Sequence, residues 1–207
     1  MIRYLFILFS VFTIVSCNDQ AVKKAVPSAE QEVSKKQIPN IEKDKSALRY
    51  ENKTSQWFLN DKLFSGYAMS RYENDTLLEK MGILNGKKQN ECTKWYPDGR
   101  IQSTANYKQG KLHGKKQVWN ADEAHTLIAS LNFENGKAEG EQKKWYPTGE
   151  PYQILHMKAG REEGVQQAFR KNGALYANYE AKNGRIFGMK KAALCFGLED
   201  QKIKNED

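Results

Sequence analysis

Beyond about residue 55 the chain alternates apolar and polar residues with a period of two. Counting back in twos from a recurrent glycine gives Ile83 and Met81, Tyr107 and Ala105, Phe133 and Leu131, Met157 and Leu155, then Ala181 and Tyr179. That alternation marks strands with one face turned to a core. The reference glycines are Gly86, Gly110, Gly136, Gly160 and Gly184, at separations of 24, 26, 24 and 24 residues. Nine residues after the first four come Trp95, Trp119, Trp145 and Phe169, and nine residues before the five come Leu77, Ile101, Leu127, Pro151 and Leu175. Self-similarity at a fixed period of this length signals a repeat architecture. With the repeats stacked in register, Tyr107, Phe133 and Met157 form one packing ladder, and Trp95, Trp119, Trp145 and Phe169 form a second.

Each unit carries two turn signals. The first lies at the reference glycines, preceded by Asn85, Gln109, Asn135, Ala159 and Asn183; the second is Pro97-Asp98-Gly99, Pro147-Thr148-Gly149 or Lys171-Asn172-Gly173. Asn-Gly between short alternating runs is the strongest local hairpin signal, because tight primed turns require positive φ. Two turns per unit leave two strands of ordinary length. The predicted fold is all-β: an elongated, single-layer antiparallel meander of stacked β-hairpins, about five units over residues 48–188. Gly114, Gly140 and Gly164, four residues after their reference glycines, give room for the large rings or permit a bulge. A Trp ladder could stack sugars or bases, but a ring recurring at one register is more often packing. The Tyr96-Pro97 and Tyr146-Pro147 pairs read as turn entrances. Trp57 to Tyr67 is a degraded copy that reads as an N-terminal cap, and 189–207 reads as a C-terminal cap with a charged tail, since terminal repeats must cover an open edge.

The start of the chain is different in kind. Arg3 followed by Tyr4 to Phe9 and Val11 to Ile14 gives a charged end and an apolar run too short to span a bilayer, the pattern of a signal peptide over residues 1–16. It ends in Ile14-Val15-Ser16-Cys17, which resembles the lipobox of bacterial lipoproteins and implies lipid attachment at Cys17. Acyl chains contribute about 0.8 kcal/mol per buried methylene. From Asn18 to Ala47 there is no aromatic residue, two prolines and a dense mixture of Lys, Glu, Gln and Ser. Such a segment cannot bury enough apolar area to offset ordering, so residues 17–47 are predicted to be the lipidated cysteine and a flexible tether. The implied location is the bacterial cell envelope, lipid-anchored and facing out of the cytoplasm, with the outer membrane favoured.

Composition changes this picture little. Thirty-three Lys and Arg against 25 Asp and Glu give a net charge of +8, spread along the chain rather than gathered in one run. Cys92 and Cys195, about a hundred residues apart, should lie several strands apart at about 4.8 Å per strand. A disulfide needs Cα atoms within about 7 Å, so separate thiols are expected. The third unit inserts Asn120 to Thr126 where its neighbours have Tyr-Pro-x-Gly, predicting a protruding loop; Asp122, Glu123 and His125 lack the second His or Cys of a zinc site. No catalytic, cofactor-binding or metal-ligating constellation is predicted, and no enzyme activity.

The pattern Asn-Gly-Lys-x-x-Gly-x-x-x-x-x-Trp-Tyr-Pro-x-Gly, most complete at 135–149, resembles the MORN-variant repeat of bacterial YwqK-type antitoxin-like proteins over about residues 55 to 190. The resemblance implies stacked hairpins and a binding rather than a catalytic role. MORN repeats are associated with membrane occupation and protein scaffolding, and the antitoxin description with neutralising a partner protein. The expected function is therefore a non-enzymatic envelope lipoprotein whose repeat sheet binds an envelope protein or a toxin. The alternative is a membrane-lipid or anionic-glycan binding module using the basic residues of the repeat surface. Nucleic acid is not an expected partner.

Overall fold

A computed structural model of the chain describes residues 37–189 and the backbone of a short hairpin, Leu198–Glu199 with Lys202–Ile203. The signal segment, Cys17, the tether before residue 37, Cys195 and most of the predicted C-terminal cap lie outside the described residues. The strands in chain order are β1 (Glu42–Asp44), β2 (Arg49–Glu51), β3 (Gln56–Leu59), β4 (Lys62–Leu63), β5 (Gly66–Arg71), β6 (Leu77–Leu84), β7 (Lys87–Trp95), β8 (Ile101–Lys108) and β9 (Lys111–Trp119). They continue with β10 (Leu127–Glu134), β11 (Lys137–Ala138), β12 (Gly140–Trp145), β13 (Pro151–Lys158), β14 (Arg161–Glu162), β15 (Gly164–Phe169), β16 (Leu175–Lys182) and β17 (Arg185–Met189). Among the described residues, β5 to β17 run in sequence order as one antiparallel meander that does not close on itself. The all-β architecture of stacked hairpins expected from the period is therefore observed.

The fifth Asn-Gly-type hairpin, β16 to β17, pairs without a break, but each of the first four contains the same irregularity. The register slips by two residues where the second strand passes Asn90, Gly114, Gly140 or Gly164, all at positive φ (61°, 91°, 71° and 94°). A slip of one residue would exchange the two faces of the sheet; a slip of two leaves them in place. A Cβ at Gly140 would meet nothing within 4 Å. The glycine is required there by its backbone conformation rather than by crowding, which decides between the two roles expected for this column.

At two of the bulges a backbone N–H of the opposite strand leaves the ladder, and a buried side chain supplies its partner. Gln142 accepts from the Asn132 N–H at 3.1 Å and donates to the Asn132 carbonyl at 2.9 Å. Gln166, fully buried, does the same at His156, at 3.0 and 2.8 Å. A buried amide with both ends satisfied fixes the register of the two strands it joins. Cys92 holds the corresponding position in the first complete unit and Lys116 in the second.

The other turns join one unit to the next. The tyrosine hydroxyls of Tyr72, Tyr96 and Tyr146 donate to the carbonyls of Trp95, Trp119 and Phe169, at 2.8, 2.7 and 2.9 Å. On the opposite side the turn glycines Gly86, Gly110, Gly136 and Gly160 donate to the carbonyls of Phe64, Lys88, Leu112 and Ala138.

A closed core exists at one end. Met81 and Ile83 are completely buried, with Ala68, Cys92, Phe64 and Leu48 around them and Trp57, Leu59 and Tyr107 packed against the cluster. It closes because β2, β3 and β4 form a separate small sheet whose residues Trp57 and Leu59, with Phe64 just after β4, pack into the cluster. The copy at Trp57 to Tyr67 thus does act as an N-terminal cap. Each fully buried large side chain contributes about 1.5–3 kcal/mol. Beyond the cap, Phe133, Met157, Trp95, Trp119, Trp145 and Phe169 are only half-buried.

The predicted tether ends earlier than residue 47. Ile38 is buried against the open position left by Gly82, and β1 pairs with β5 in parallel, adding one strand to the otherwise antiparallel sheet. Lys45, in a single 3₁₀ turn, reaches the buried carboxylate of Glu79 at 2.6 Å. Burial opposes ionisation of Glu79, but Lys45, Lys94 and Lys88 outweigh it and hold the carboxyl below its usual range. The low aromatic content that suggested disorder does not register these few specific anchors.

Replacing Gln166 with Leu leaves the His156 N–H without its partner, the carbonyl keeping its bond from the Glu163 N–H, and is expected to lower stability by about 1–3 kcal/mol. Gln167→Leu, next to it but half-buried, should change stability by only about 0.5 kcal/mol. Urea unfolding of the two variants checks the difference.

Candidate functional site

The last two complete hairpins carry a recess of about 590 Å³ lined by Tyr146, Tyr152, Leu155, Phe169, Tyr176 and Tyr179. This volume falls within the range of about 300–1,000 Å³ typical of ligand pockets. Leu155 and Tyr179 come from the alternating ladder face of β13 and β16. Gln166 pairs with Tyr179, and Gln142 pairs with Leu155 across the sheet. The walls come from the strand ends: Tyr146 follows Trp145 at the end of β12, and Tyr152 lies near the start of β13, with their rings edge to face at 5.1 Å.

The rings divide by how their polar ends are used. Tyr146 is fixed by its bond to the Phe169 carbonyl. Tyr179 donates to Glu162 at 2.9 Å, and burial together with that bond pushes its hydroxyl up to about 12. Tyr152 and Tyr176 are 44% and 38% exposed. Arg170 stands 5.6 Å from the Tyr176 ring centre, the geometry of a cation–π contact. Gln153, Gln167 and Arg170 supply the polar lining. The arrangement suits an apolar or aromatic group with a polar rim. Val165, Leu175, Ile186 and Phe187 of these last strands are also exposed.

Tyr152 and Tyr176 were not singled out by the period. They share one register, 24 residues apart, but the earlier units hold Leu78, Gln102 and Ile128 there, so no ladder announces them. The signal was a change of residue type within a column. The expected ladder residues are placed in register: Tyr107 borders the capped core, Phe133 and Met157 follow along the same face, and Trp95, Trp119, Trp145 and Phe169 end their strands.

The loop at 120–126 folds into a hydrogen-bonded turn with residues 121–124 exposed. Asn120 accepts from the Thr126 N–H at 2.9 Å, Asp122 accepts from the His125 N–H at 3.1 Å, and the His125 ring lies over Trp119. His125 Nε2 meets the Ile101 carbonyl at 2.6 Å. Arg100 from the preceding turn reaches the Ala121 carbonyl at 2.8 Å. Asn120, Asp122 and His125 are thus engaged in bonds within the loop and to the neighbouring units. Among the described residues no three potential metal ligands come together.

The architecture defines a single-layer β-hairpin repeat array. A search of protein-family models gave no match to the chain, and no curated protein matched it.

Cys92, a free thiol, is 7% exposed inside the capped core. Burial pushes it up to about 11 from 9.0, outweighing the nearby Lys88. It is therefore a packing residue and a poor nucleophile. Because the folded thiol holds its proton more tightly, its contribution to stability is full below about pH 9 and lost as pH rises to about 11. The stability advantage of the wild type over Cys92→Ala should shrink by about 2 kcal/mol across that window, as read by urea unfolding at each pH.

Proposed function

We propose that this chain is a non-enzymatic envelope lipoprotein, held through lipid on Cys17, that uses its MORN-like hairpin sheet as a protein-binding scaffold. The observation that carries this reading is the contrast between the two ends of one face. The cap covers the ladder over β6 to β8, whereas the same face over β13 to β16 opens into an aromatic recess with exposed Tyr152 and Tyr176. Exposed Tyr beside Arg is the composition of interface hot spots, where a few large rings carry most of the binding energy. These two rings are confined to the last units, and their exposure keeps them available to a partner.

The lipobox-like sequence supports anchoring, and the sequence before residue 37 supports a tether. Among the described residues no helix is long and apolar enough to cross a membrane. The resemblance to YwqK-type antitoxin-like repeats supports a protein as the partner. Immunity to a toxin encountered in the envelope is a special case of the same role.

The test is co-purification of the full-length lipoprotein from solubilised envelopes, wild type beside Tyr152→Ala/Tyr176→Ala. A partner retained by the wild type and reduced about tenfold or more by the double variant is the expected result, equivalent to about 1.4 kcal/mol of lost affinity. Equal recovery with both proteins, or none above a tether-only control, refutes the reading.

A further inference from the structure

The two long sides of the sheet differ in charge because they are built from different turns. On the Asn-Gly side the residues that close each hairpin are the pairs Leu84 and Lys87, Lys108 and Lys111, Glu134 and Lys137, Lys158 and Arg161, and Lys182 and Arg185. Eight of these ten positions are cationic and one is acidic. All eight cations are exposed, and among the described residues none of them joins a salt bridge. The opposite side, formed by 72–76, 96–100, 120–126, 146–150 and 170–174, carries six carboxylates against three cations. A charge balance that looks diffuse along the sequence is sorted by the hairpins into a basic edge and an acidic one.

The basic edge is a row of separate spots. The two members of a pair face each other across one hairpin, with Cβ atoms about 5 Å apart. Successive pairs are two strands, about 10 Å, apart along the sheet. That exceeds the screening length of about 8 Å at physiological ionic strength. Each spot therefore attracts its own counter-charge, and strength comes from engaging several at once.

The form of the edge also limits the partner. Sheets twist by about 20–25° per strand, so consecutive pairs turn by about 40–50°. A flat membrane meets only a couple of them together, while a flexible chain can follow them all. Most turn amides are already used: the N–H groups of Gly86, Gly110, Gly136 and Gly160 bond to the preceding unit, and those of Gln109, Ala159 and Asn183 bond to Gln89, Glu139 and Glu163. No row of backbone donors is left to cradle phosphate. Glu134, Glu139 and Glu163 interrupt the edge and repel a chain with charge at every step. A polymer with widely spaced carboxylates avoids them.

We propose that the Asn-Gly edge binds a linear, carboxylated polysaccharide, independently of the aromatic recess. The full-length protein is titrated with polygalacturonate, with dextran as the uncharged polymer and phosphatidylglycerol vesicles as the anionic surface. Three proteins are compared: the wild type, Lys111→Gln/Lys137→Gln/Arg161→Gln, and Lys53→Gln/Lys115→Gln/Lys171→Gln, which loses the same charge from exposed positions elsewhere. The expected result is salt-sensitive binding of polygalacturonate only, weakened about tenfold or more by the edge variant and about twofold or less by the other. Equal weakening in the two variants, binding of dextran, preference for the vesicles, or no binding of polygalacturonate overturns the proposal. Matching urea midpoints for the three proteins establish that a loss reflects the edge and not the fold.

Discussion

The structure depends on a recurrent left-handed backbone position. A sheet one layer thick cannot bury a deep core along its length, so it needs another way to fix how each hairpin meets the next. The positive φ of Asn90, Gly114, Gly140 and Gly164 introduces a two-residue slip that keeps the two faces distinct. An L-residue in this conformation is disfavoured by roughly 1–2 kcal/mol, which glycine avoids. The slip in turn takes a backbone N–H on the facing strand out of the ladder, at Asn132 and His156, while the carbonyls there keep a bond from Glu139 and Glu163; an unsatisfied buried N–H is costly. Gln142 and Gln166 accept from that N–H and add a second bond to the carbonyl. Glycine and glutamine therefore act as one device.

The same logic explains why the core is confined to one end. Hydrogen bonds between units, at the Tyr hydroxyls and turn glycines, set geometry but remove little apolar area from water. Hydrophobic stabilisation grows with that area, at about 25 cal/mol per Å², so it must be gathered where a second layer exists. The cap of β2 to β4 provides that layer over Met81, Ile83 and Cys92. Lys45 and Lys94 around Glu79 fasten it with a partly shielded ion pair. Breaking such a pair leaves a buried charge without compensation. Stability is thus concentrated near β6 to β8, leaving β13 to β16 free to present rings that no core requires.

Much of this was legible from the chain. Turn glycines, strand alternation and the 24-residue period specify the meander, because each follows from local backbone chemistry that repeats with the sequence. The N-terminal cap was legible as a damaged copy. The ordered stretch at Ile38 to Ala47 was not: a three-residue parallel strand and one aliphatic side chain in the gap above Gly82 leave almost no compositional trace. Nor was the Gln142 and Gln166 pair, although the two are 24 residues apart, since Cys92 and Lys116 occupy their column in the earlier units. Tyr152 and Tyr176 escaped notice for the same reason. A period reveals what all units share, and the candidate site is made from what only the last units have.

This division has a consequence for how such an array can acquire a partner. The positions that close turns, fill bulges and join units are committed, because altering one disturbs a neighbour 22 to 24 residues away. Two sets remain open to change: ladder-face residues beyond the cap, and the exposed residues that flank each turn. The first set produces a local recess of rings. The second is read in every unit, so it produces a row of like charges along one side. Rings at one end and charges along an edge can be selected independently, because the side chains of Tyr152, Tyr176 and the turn-flanking cations make none of the bonds that join the units.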